Sequence, residues 1–395
     1  MNHLFSDRVK KIKASEIREI LKLTMKPEII SFAGGLPAPE LFPIKEMIEV
    51  SAKVMMTMGQ EALQYSTTEG YNPLRNHIVR QMAQAGVTVE QDDILITNGS
   101  QQGLDFTGKI FLNPGDYVLC ESPSYLGAIN AFRAYECEFE EIPTDDFGMD
   151  MKALEHVLET NKRAKFIYVI PDFQNPSGRT WSTERRKQLY DLARRYNVVI
   201  VEDNPYGALR FEGEMIPPVK SLDTDGRVVY LGTYSKTFSP GLRIGWVAAS
   251  PELLSKYIMV KQGADLQSSS ISQRELSVFL DSYDFDRHVE TIKEVYRRRR
   301  DLMIDTMKQC FPKEAKYVVP SGGLFTWVEL PERVNTRKLL EKAVERKVAF
   351  VPGGSFFPNG GNERCMRLNF SNMNEEKIVE GIKRLGELLK DELAG

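Results

Sequence analysis

Through the middle of the chain, short apolar runs rich in Val and Ile alternate with longer segments of helical period. The runs are DILITNG (93–99), DYVLCESP (116–123), KFIYVIPDF (165–173), VVIVEDNPY (198–206), VVYLGTYSK (228–236) and RIGWVAAS (243–250). Their apolarity is continuous. A strand with one face in water alternates between apolar and polar residues, whereas a strand covered on both faces does not. The pattern therefore predicts a mostly parallel sheet with crossover helices on both sides. One helix is legible in STERRKQLYDLARRYN, where Ser182 or Thr183 can cap the first turn and Leu189, Leu192 and Ala193 lie along one side. The fold class is α/β.

After about residue 285 the pattern changes to long helices and a second, smaller αβ unit. HVETIKEVYRRRRDLMIDTMKQ is helical, GGLFTWVEL is a strand, and NEEKIVEGIKRLGELLKDEL is a terminal amphipathic helix with Ile378, Ile382, Leu385 and Leu389 on one stripe. Arg297 to Arg300 occupy four successive helical positions and so point in four directions. They are expected to form a solvated face with acidic partners rather than a nucleic-acid site. The resulting division is an N-terminal helix and arm (1–40), a large domain (41–285) and a C-terminal small domain (286–395).

Several apolar runs end in polar, potentially reactive residues: TNGSQQG, ESPSY, DFQNPSG, EDNPY and TYSKT. In open α/β sheets ligands bind beyond the carboxyl ends of the strands. These tips are therefore expected to converge on one site although they are spread from residue 97 to 237.

Composition narrows the class. The 395 residues are 42% hydrophobic and 27% charged with a formal net charge of -3, which gives no reason to expect nucleic acid or an anionic membrane as partner. No apolar run is long enough to span a bilayer, and the charged start MNHLFSDRVKKIKASEIREI does not resemble a signal peptide. Cys120, Cys137, Cys310 and Cys365 are widely spaced, as expected for reduced thiols in a cytoplasmic protein. His3, His77, His156 and His288 are isolated and form no metal motif.

The chemistry centres on Lys236 in GTYSKTFSPGLRIGW. A lysine that holds an aldehyde cofactor needs an anion cradle, a partner for a ring nitrogen and donors to a phenolic oxygen. NGSQQG offers the cradle: Gly99 ends a strand, and Ser100 and Gln101 open a helix whose free amides and dipole favour phosphate. Thr233 and Ser235 add hydroxyls, and Arg243 adds a fixed positive charge. Asp203 ends the most apolar strand and is either a cap or a buried anion that requires a cationic partner. Tyr206 and Asn175 are able to donate to a phenolate, and Tyr125 is able to stack on a ring, although each tyrosine can also be a packed aromatic. Arg367, in a short strand after a glycine-rich loop, is the natural fork for an α-carboxylate, with Arg364 as a loop residue facing water. SFAGGLPAPELFP has backbone able to line a substrate mouth, and LQYSTTEGYNPLR places Tyr65 in a loop.

Taken together and in order, FAGGLPAPELFP, LQYSTTEGYNPLR, TNGSQQGLD, PDFQNPSG, VEDNPY, YSKTFSPGLRIGW, KQGADLQ, VPGGSFF and RLNFS resemble the fold-type I, pyridoxal-phosphate-dependent aminotransferases of class I/II. Within them the sequence is most similar to the 2-aminoadipate aminotransferase and kynurenine aminotransferase II group. The likeness covers nearly the whole chain, from ASEIREILKLT to the last helix. It begins by about residue 14, unlike transcription regulators that carry a DNA-binding domain ahead of such a unit.

The resemblance implies a large domain with a mostly parallel seven-stranded sheet between helices, a smaller α/β domain, and pyridoxal 5'-phosphate as cofactor. It implies Lys236 as the Schiff-base lysine and proton shuttle, Asp203 as the pyridinium partner, Asn175 and Tyr206 at the phenolate, and Tyr125 on the ring. Ser100, Gln101, Ser235 and Arg243 would hold the phosphate with help from Thr233, and Tyr65 would reach the site of the other subunit of a homodimer. Arg367 would bind the substrate α-carboxylate with Asn175 and the backbone of Gly35. Arg18 would either meet a distal carboxylate of the substrate or pair at the surface with Glu16 or Glu19. Relatives often carry aspartate where this chain has Asn204, at a position with no catalytic role. The implied activity is transfer of an amino group from 2-aminoadipate, an aromatic or a branched-chain amino acid to 2-oxoglutarate by ping-pong kinetics. A β-lyase or a decarboxylase on the same fold is the alternative.

Overall fold

The computed structural model describes residues 4–6, 8–9 and 26–394. Arg18, Glu16 and Glu19 lie outside the described residues. From residue 26 the described part of the chain forms β1 (Ile30–Ser31), α1 (Ile44–Leu63), α2 (Asn72–Gln84), β2 (Ile94–Asn98), α3 (Ser100–Phe111), β3 (Tyr117–Ser122), α4 (Leu126–Arg133), β4 (Glu138–Asp145) and β5 (Gly148–Met149). It continues through α5 (Met151–Thr160), β6 (Ala164–Val169), α6 (Thr183–Arg195), β7 (Val199–Asp203), β8 (Val228–Thr233), β9 (Ile244–Ala248), α7 (Pro251–Ala264) and α8 (Ser270–Ser282). It ends with α9 (Phe285–Cys310), β10 (Lys316–Tyr317), β11 (Phe325–Glu329), α10 (Thr336–Glu345), β12 (Val348–Ala349), β13 (Val351–Pro352), β14 (Cys365–Asn369) and α11 (Glu375–Ala394).

The main sheet has the order β2-β9-β8-β7-β6-β3-β4-β5. The contiguous strands β8, β7, β6, β3 and β4 are mutually parallel, as continuous apolarity predicts. The RIGWVAAS run departs from that pattern: β9 is antiparallel to both β2 and β8. Its apolarity is as continuous as that of its neighbours because it too is covered on both faces, so composition does not reveal its direction. The two-residue β5 adds a hairpin edge to the seven longer strands.

Alternate residues of each strand feed different cores. Ile94, Ile96, Tyr230 and Trp246 pack with Val54, Ile78 and Leu276 of α1, α2 and α8. Leu95, Leu231, Val247, Val201 and Tyr168 face the opposite way, toward Leu104, Phe132 and Tyr257 of α3, α4 and α7. Ile167, Val169 and Ile200 pack against Leu154 and Leu189 of α5 and α6. Each such fully buried aliphatic side chain contributes roughly 1.5–3 kcal/mol.

The anticipated helices form. Ser182 caps α6 by accepting from the Arg185 amide, while Leu189, Leu192 and Ala193 are buried. Ile378, Ile382, Leu385 and Leu389 are the buried stripe of α11. The arginine run is corrected in one respect. Acidic partners are present, with Arg298 on Glu375, Arg299 on Glu40 and Arg300 on Glu212, but Arg299 and Arg300 are buried rather than solvated. Arg299 also donates to the Ser371 carbonyl at 2.6 Å. The helix therefore uses two of its four charges to join the arm around Glu40 and the loop around Glu212.

A second sheet, β10-β11-β14-β13, is antiparallel, and β1 pairs with β12. Among the described residues no helix is long and apolar enough to cross a membrane. Among those residues, no cluster of three or more His, Cys, Asp or Glu side chains is placed to hold a metal ion.

Candidate active site

Parallel pairing puts the carboxyl ends of β3, β6, β7 and β8 at one edge of the main sheet. Two antiparallel steps through β9 bring the end of β2 there as well, with Asn98 opposite Ile244 and Thr233 opposite Gly245. The polar tips at Asn98, Ser122, Asp203 and Thr233 therefore share one edge.

β8 turns at Thr233, whose hydroxyl lies 3.0 Å from Ser235 Oγ and 3.1 Å from the Ile244 carbonyl, and accepts from the Ser235 amide at 3.1 Å. That hydroxyl braces the turn from beneath. The turn presents the half-buried Lys236, whose Nζ donates to the Gly35 carbonyl at 2.8 Å. Burial, reinforced by the charges of Arg367 and Arg243 and opposed by Asp203, lowers the Lys236 pKa to about 8. An amine in this state is available as nucleophile and base near neutral pH.

Asp203, the last residue of β7, is 2% exposed. Its Oδ2 accepts from the Tyr168 phenol at 2.9 Å, and its Oδ1 is buried with no hydrogen-bond partner among the described residues. Burial raises its pKa to about 7 against the pull of Tyr168 and Lys236. A buried carboxylate with a free oxygen is costly unless a cationic donor completes it.

The anion cradle lies at the start of α3. Gly99 holds φ +74°, and a Cβ there would stand 2.5 Å from Arg243 Nη2. Across from it on β9, a Cβ on Gly245 would stand 2.7 Å from the Ser100 nitrogen. Both glycines let backbone and guanidinium crowd around the first turn, which no side chain of the described residues caps; the Gln102 amide reaches the Gly99 carbonyl at 3.2 Å, leaving those of Ser100 and Gln101 for an anion. Arg243 donates to the carbonyls of Pro240 at 3.3 Å and Asn98 at 3.2 Å. Gln101 donates to the Gly127 carbonyl at 2.9 Å and so ties the cradle to the start of α4, where Tyr125 stands half-buried. Burial, then the Asp203 charge, raises the Tyr125 pKa.

Arg367, in the middle of β14, is 2% exposed. Its Nη1 donates to Asn175 Oδ1 at 2.8 Å and its Nη2 to the Ala33 carbonyl at 2.7 Å. The Phe325 ring centre lies 4.2 Å from its Cζ, and its Nε has no partner. Burial lowers its pKa to about 10, offset by Tyr206 and Tyr125. No carboxylate of the described residues pairs with it, so it is a buried cation matched only by neutral groups. Asn175 also hydrogen-bonds the Tyr206 phenol, whose pKa burial raises strongly. Ala33 and Gly35 bring the backbone of the arm to Arg367 and Lys236.

Tyr65 does not join this cluster through any side-chain hydrogen bond and is 79% exposed beyond the end of α1. Arg364 is at the end of the loop before β14 but is half-buried beside Glu329 and Glu332 rather than facing water. Asn204 donates to Asp172 at 3.3 Å and accepts from the Gly207 amide at 2.8 Å. The amide here thus joins a buried cluster that already holds an aspartate.

Sequence reasoning missed two supporting residues. Tyr168 pairs in register with Val201, two residues before Asp203, so the period of two along β7 puts its ring on the Asp203 face. Glu121, inside the apolar run YVLCES, accepts from the Ile170 amide at 3.0 Å and the Trp181 indole at 2.9 Å. It braces the loop that carries Asn175, and burial raises its pKa to about 7. A lone carboxylate inside an apolar run was the available signal.

Comparison with known proteins gives a consistent picture. Residues 28–385 match the family model described as aminotransferase class I and II. An aromatic-amino-acid aminotransferase of Thermococcus litoralis is 46% identical over 98% of this chain and 94% of its own length. The structure of a Pyrococcus horikoshii kynurenine aminotransferase in complex with PMP, with KYN as substrates and KYA as products, superposes with a TM-score of 0.95 at 42% identity, covering 99% of this chain and 98% of that one. An α-aminoadipate aminotransferase of Thermus thermophilus, complexed with N-(5'-phosphopyridoxyl)-L-leucine, superposes with a TM-score of 0.93 at 42% identity, covering 100% of this chain and 99% of that one.

Proposed function

Since the chain belongs to the class I and II aminotransferase family, we propose that it moves the amino group of 2-aminoadipate, an aromatic or a branched-chain amino acid to 2-oxoglutarate in two successive half-reactions. Pyridoxal phosphate is the cofactor, and the site fits it on three counts. Asp203 Oδ1 is a buried acceptor without a partner, suited to a protonated ring nitrogen. The uncapped start of α3 with Arg243 and Ser235 suits a phosphate. Lys236 offers an amine of lowered pKa to an aldehyde. When bound, the cofactor supplies an electron sink for the charge that develops at the substrate Cα.

In this scheme Ser100, Gln101, Ser235 and Arg243 hold the phosphate, with Thr233 shaping their turn. Tyr125 would pack on the ring, and Asn175 and Tyr206 would donate to its phenolic oxygen. Lys236 Nζ would hold the aldehyde and, with an amino acid in its place, would serve as the base that moves the proton between the substrate Cα and the cofactor's C4′. Arg367 forks onto the α-carboxylate with Asn175 and the Gly35 backbone, fixing which bond at Cα faces the lysine. Arg18 meets a distal carboxylate when the donor has one.

The arm (1–40) and small domain (286–395) bring Gly35 and Arg367 to the large domain (41–285), which carries Lys236 and Asp203. A homodimer with shared sites belongs to the same proposal. Ile44, Ile48 and Met55 share one face of α1 and are exposed, together with Met56 and Leu63, and the exposed Tyr65 follows directly. So does a cytoplasmic setting, supported by four free cysteines of which Cys120, Cys137 and Cys365 are buried.

The observation that carries the proposal is Arg367, a buried guanidinium without a carboxylate beside a lysine of lowered pKa. Visible absorption of the purified protein tests it. Adding an amino acid without any oxo acid should convert the cofactor's aldehyde-form band to its amine-form band, and 2-oxoglutarate should restore it. Faster conversion by 2-aminoadipate than by leucine or tyrosine would support the role of Arg18. A band that never converts with any amino acid would point to lyase or decarboxylase chemistry.

A further inference from the structure

The sequence KQGADLQ (261–267) has no part in the chemistry described so far, yet its charged residues meet directly behind the anion cradle. Asn98 precedes Gly99 and Gln102 follows Gln101, so these two residues bracket the cradle. Both reach the same carboxylate oxygen: Asn98 Nδ2 donates to Asp265 Oδ2 at 2.6 Å and Gln102 Nε2 donates to it at 2.7 Å. Gln102 Oε1 in turn accepts from the Asn98 amide at 2.9 Å, which closes a ring across the strand-to-helix turn.

Behind Asp265 stands Lys261, whose side chain is 0% exposed. Its Nζ donates to Asp265 Oδ1 at 2.9 Å and Oδ2 at 3.0 Å, to Gln102 Oε1 at 3.1 Å and to Ser268 Oγ at 3.0 Å. Packing α7 against α3 does not require this. An apolar side chain in the place of a buried lysine would hold two helices together without the cost of removing a charge from water. The ion pair instead spends its bonds on the two residues that fix the direction of Gly99, Ser100 and Gln101. The backbone amides of this anion site, unlike its Arg243 and Ser235 side chains, have no rotamers with which to adjust, so their aim depends on such flanking contacts.

We propose that Lys261 and Asp265 are positioning residues for the phosphate cradle: by clamping Asn98 and Gln102 they aim the first amides of α3 and so set affinity for the phosphate of the cofactor rather than for its ring. This rests on the cofactor assignment made above. The pair touches neither Lys236 nor Asp203, so its effect should separate cleanly from the proton chemistry.

The test compares binding of pyridoxal 5'-phosphate and of unphosphorylated pyridoxal to the cofactor-stripped full chain, for wild type, Asp265→Asn and Lys261→Met. Asp265→Asn keeps the shape but turns one acceptor into a donor facing the amides of Asn98 and Gln102. It should weaken binding of the phosphorylated form by about tenfold, the scale of supporting contacts at bound groups, and leave pyridoxal binding unchanged. Inorganic phosphate should compete less well against the variant by the same factor. Gln102→Met, which removes one clamp without burying a lone charge, should behave alike and serves if Lys261→Met does not fold. Equal losses for pyridoxal and its phosphate, or no loss in either, would overturn the proposal. A wild-type chain that binds neither compound would instead overturn the cofactor assignment beneath it.

Discussion

Two buried aspartates stand near the same sheet edge and differ in how their charge is met. Asp172 accepts from Arg186 at 2.8 and 3.2 Å, from Arg210 at 3.1 Å and from Asn204 at 3.3 Å. Each of its oxygens is satisfied within the chain. Among the described residues Asp203 has one neutral donor, Tyr168, and an oxygen with none. The cations divide in the same way: Arg186 has its carboxylate, whereas Arg367 has only an amide oxygen and a carbonyl. A fold that needs a charge for its own stability completes it. A charge left incomplete in the interior costs stability and calls for a ligand of opposite sign. The incomplete pair, Asp203 and Arg367, is the pair expected to receive a ring cation and a substrate anion.

Exchanging each aspartate for asparagine should break the comparison open. Asp203→Asn should lower kcat/KM by about 10³-fold, as loss of a preorganised charge at the reacting group does. It should not lower the melting temperature of the cofactor-free chain. The folded pKa of Asp203, raised to about 7, lies above its unfolded value, so the stability cost of its charge appears as pH rises from the ordinary carboxylate range through 7. Asp203→Asn should therefore raise the melting temperature most at pH 8, less at pH 5 and little at about pH 3. Asp172→Asn should do the reverse, losing about 3 kcal/mol of stability by breaking a buried pair while kcat stays within a few fold.

Arg367→Lys keeps the charge but not the fork. It should raise KM roughly 50-fold for every amino acid tested, the scale of a hydrogen bond to a charged group. An effect confined to acidic donors would instead assign Arg367 to side-chain selection. Tyr168→Phe removes the one donor that Asp203 has within the chain, and should cost about fivefold in cofactor affinity, measured by equilibrium titration, without a shift in KM. The smallest effect concerns pH. Attachment of pyridoxal phosphate requires the neutral amine, so its rate should rise with pH and level off above about 8, where Lys236 has lost its proton. A midpoint near that of an ordinary lysine would remove the case for Arg367, Arg243 and burial as tuning influences.

Much of this arrangement was legible in the sequence because it is built from strand ends. Continuous apolar runs that stop at Asn98, Asp203 and Thr233 locate the site edge once the strands are parallel. The direction of β9 was not legible, since an antiparallel strand buried on both faces has the same composition as a parallel one. Nor were the clamps. Tyr168 and Glu121 resemble ordinary strand residues until register places them, and Lys261 resembles a surface lysine until α7 turns it inward. The burial of Arg299 and Arg300 escaped for a similar reason, because their partners Glu40 and Glu212 lie far away along the chain. Local spacing reports which residues a segment offers; long-range pairing decides which of them are left without a partner.

The central claim is that Lys236 is the residue that holds the cofactor, and covalent trapping tests it most directly. The purified protein would be reduced with borohydride, digested and mapped by mass spectrometry. The account predicts one phosphopyridoxyl group per chain, on the peptide containing Lys236, and none after prior conversion of the cofactor by an amino donor. A label on Lys261 or any other lysine, or no label after incubation with pyridoxal phosphate, would contradict it.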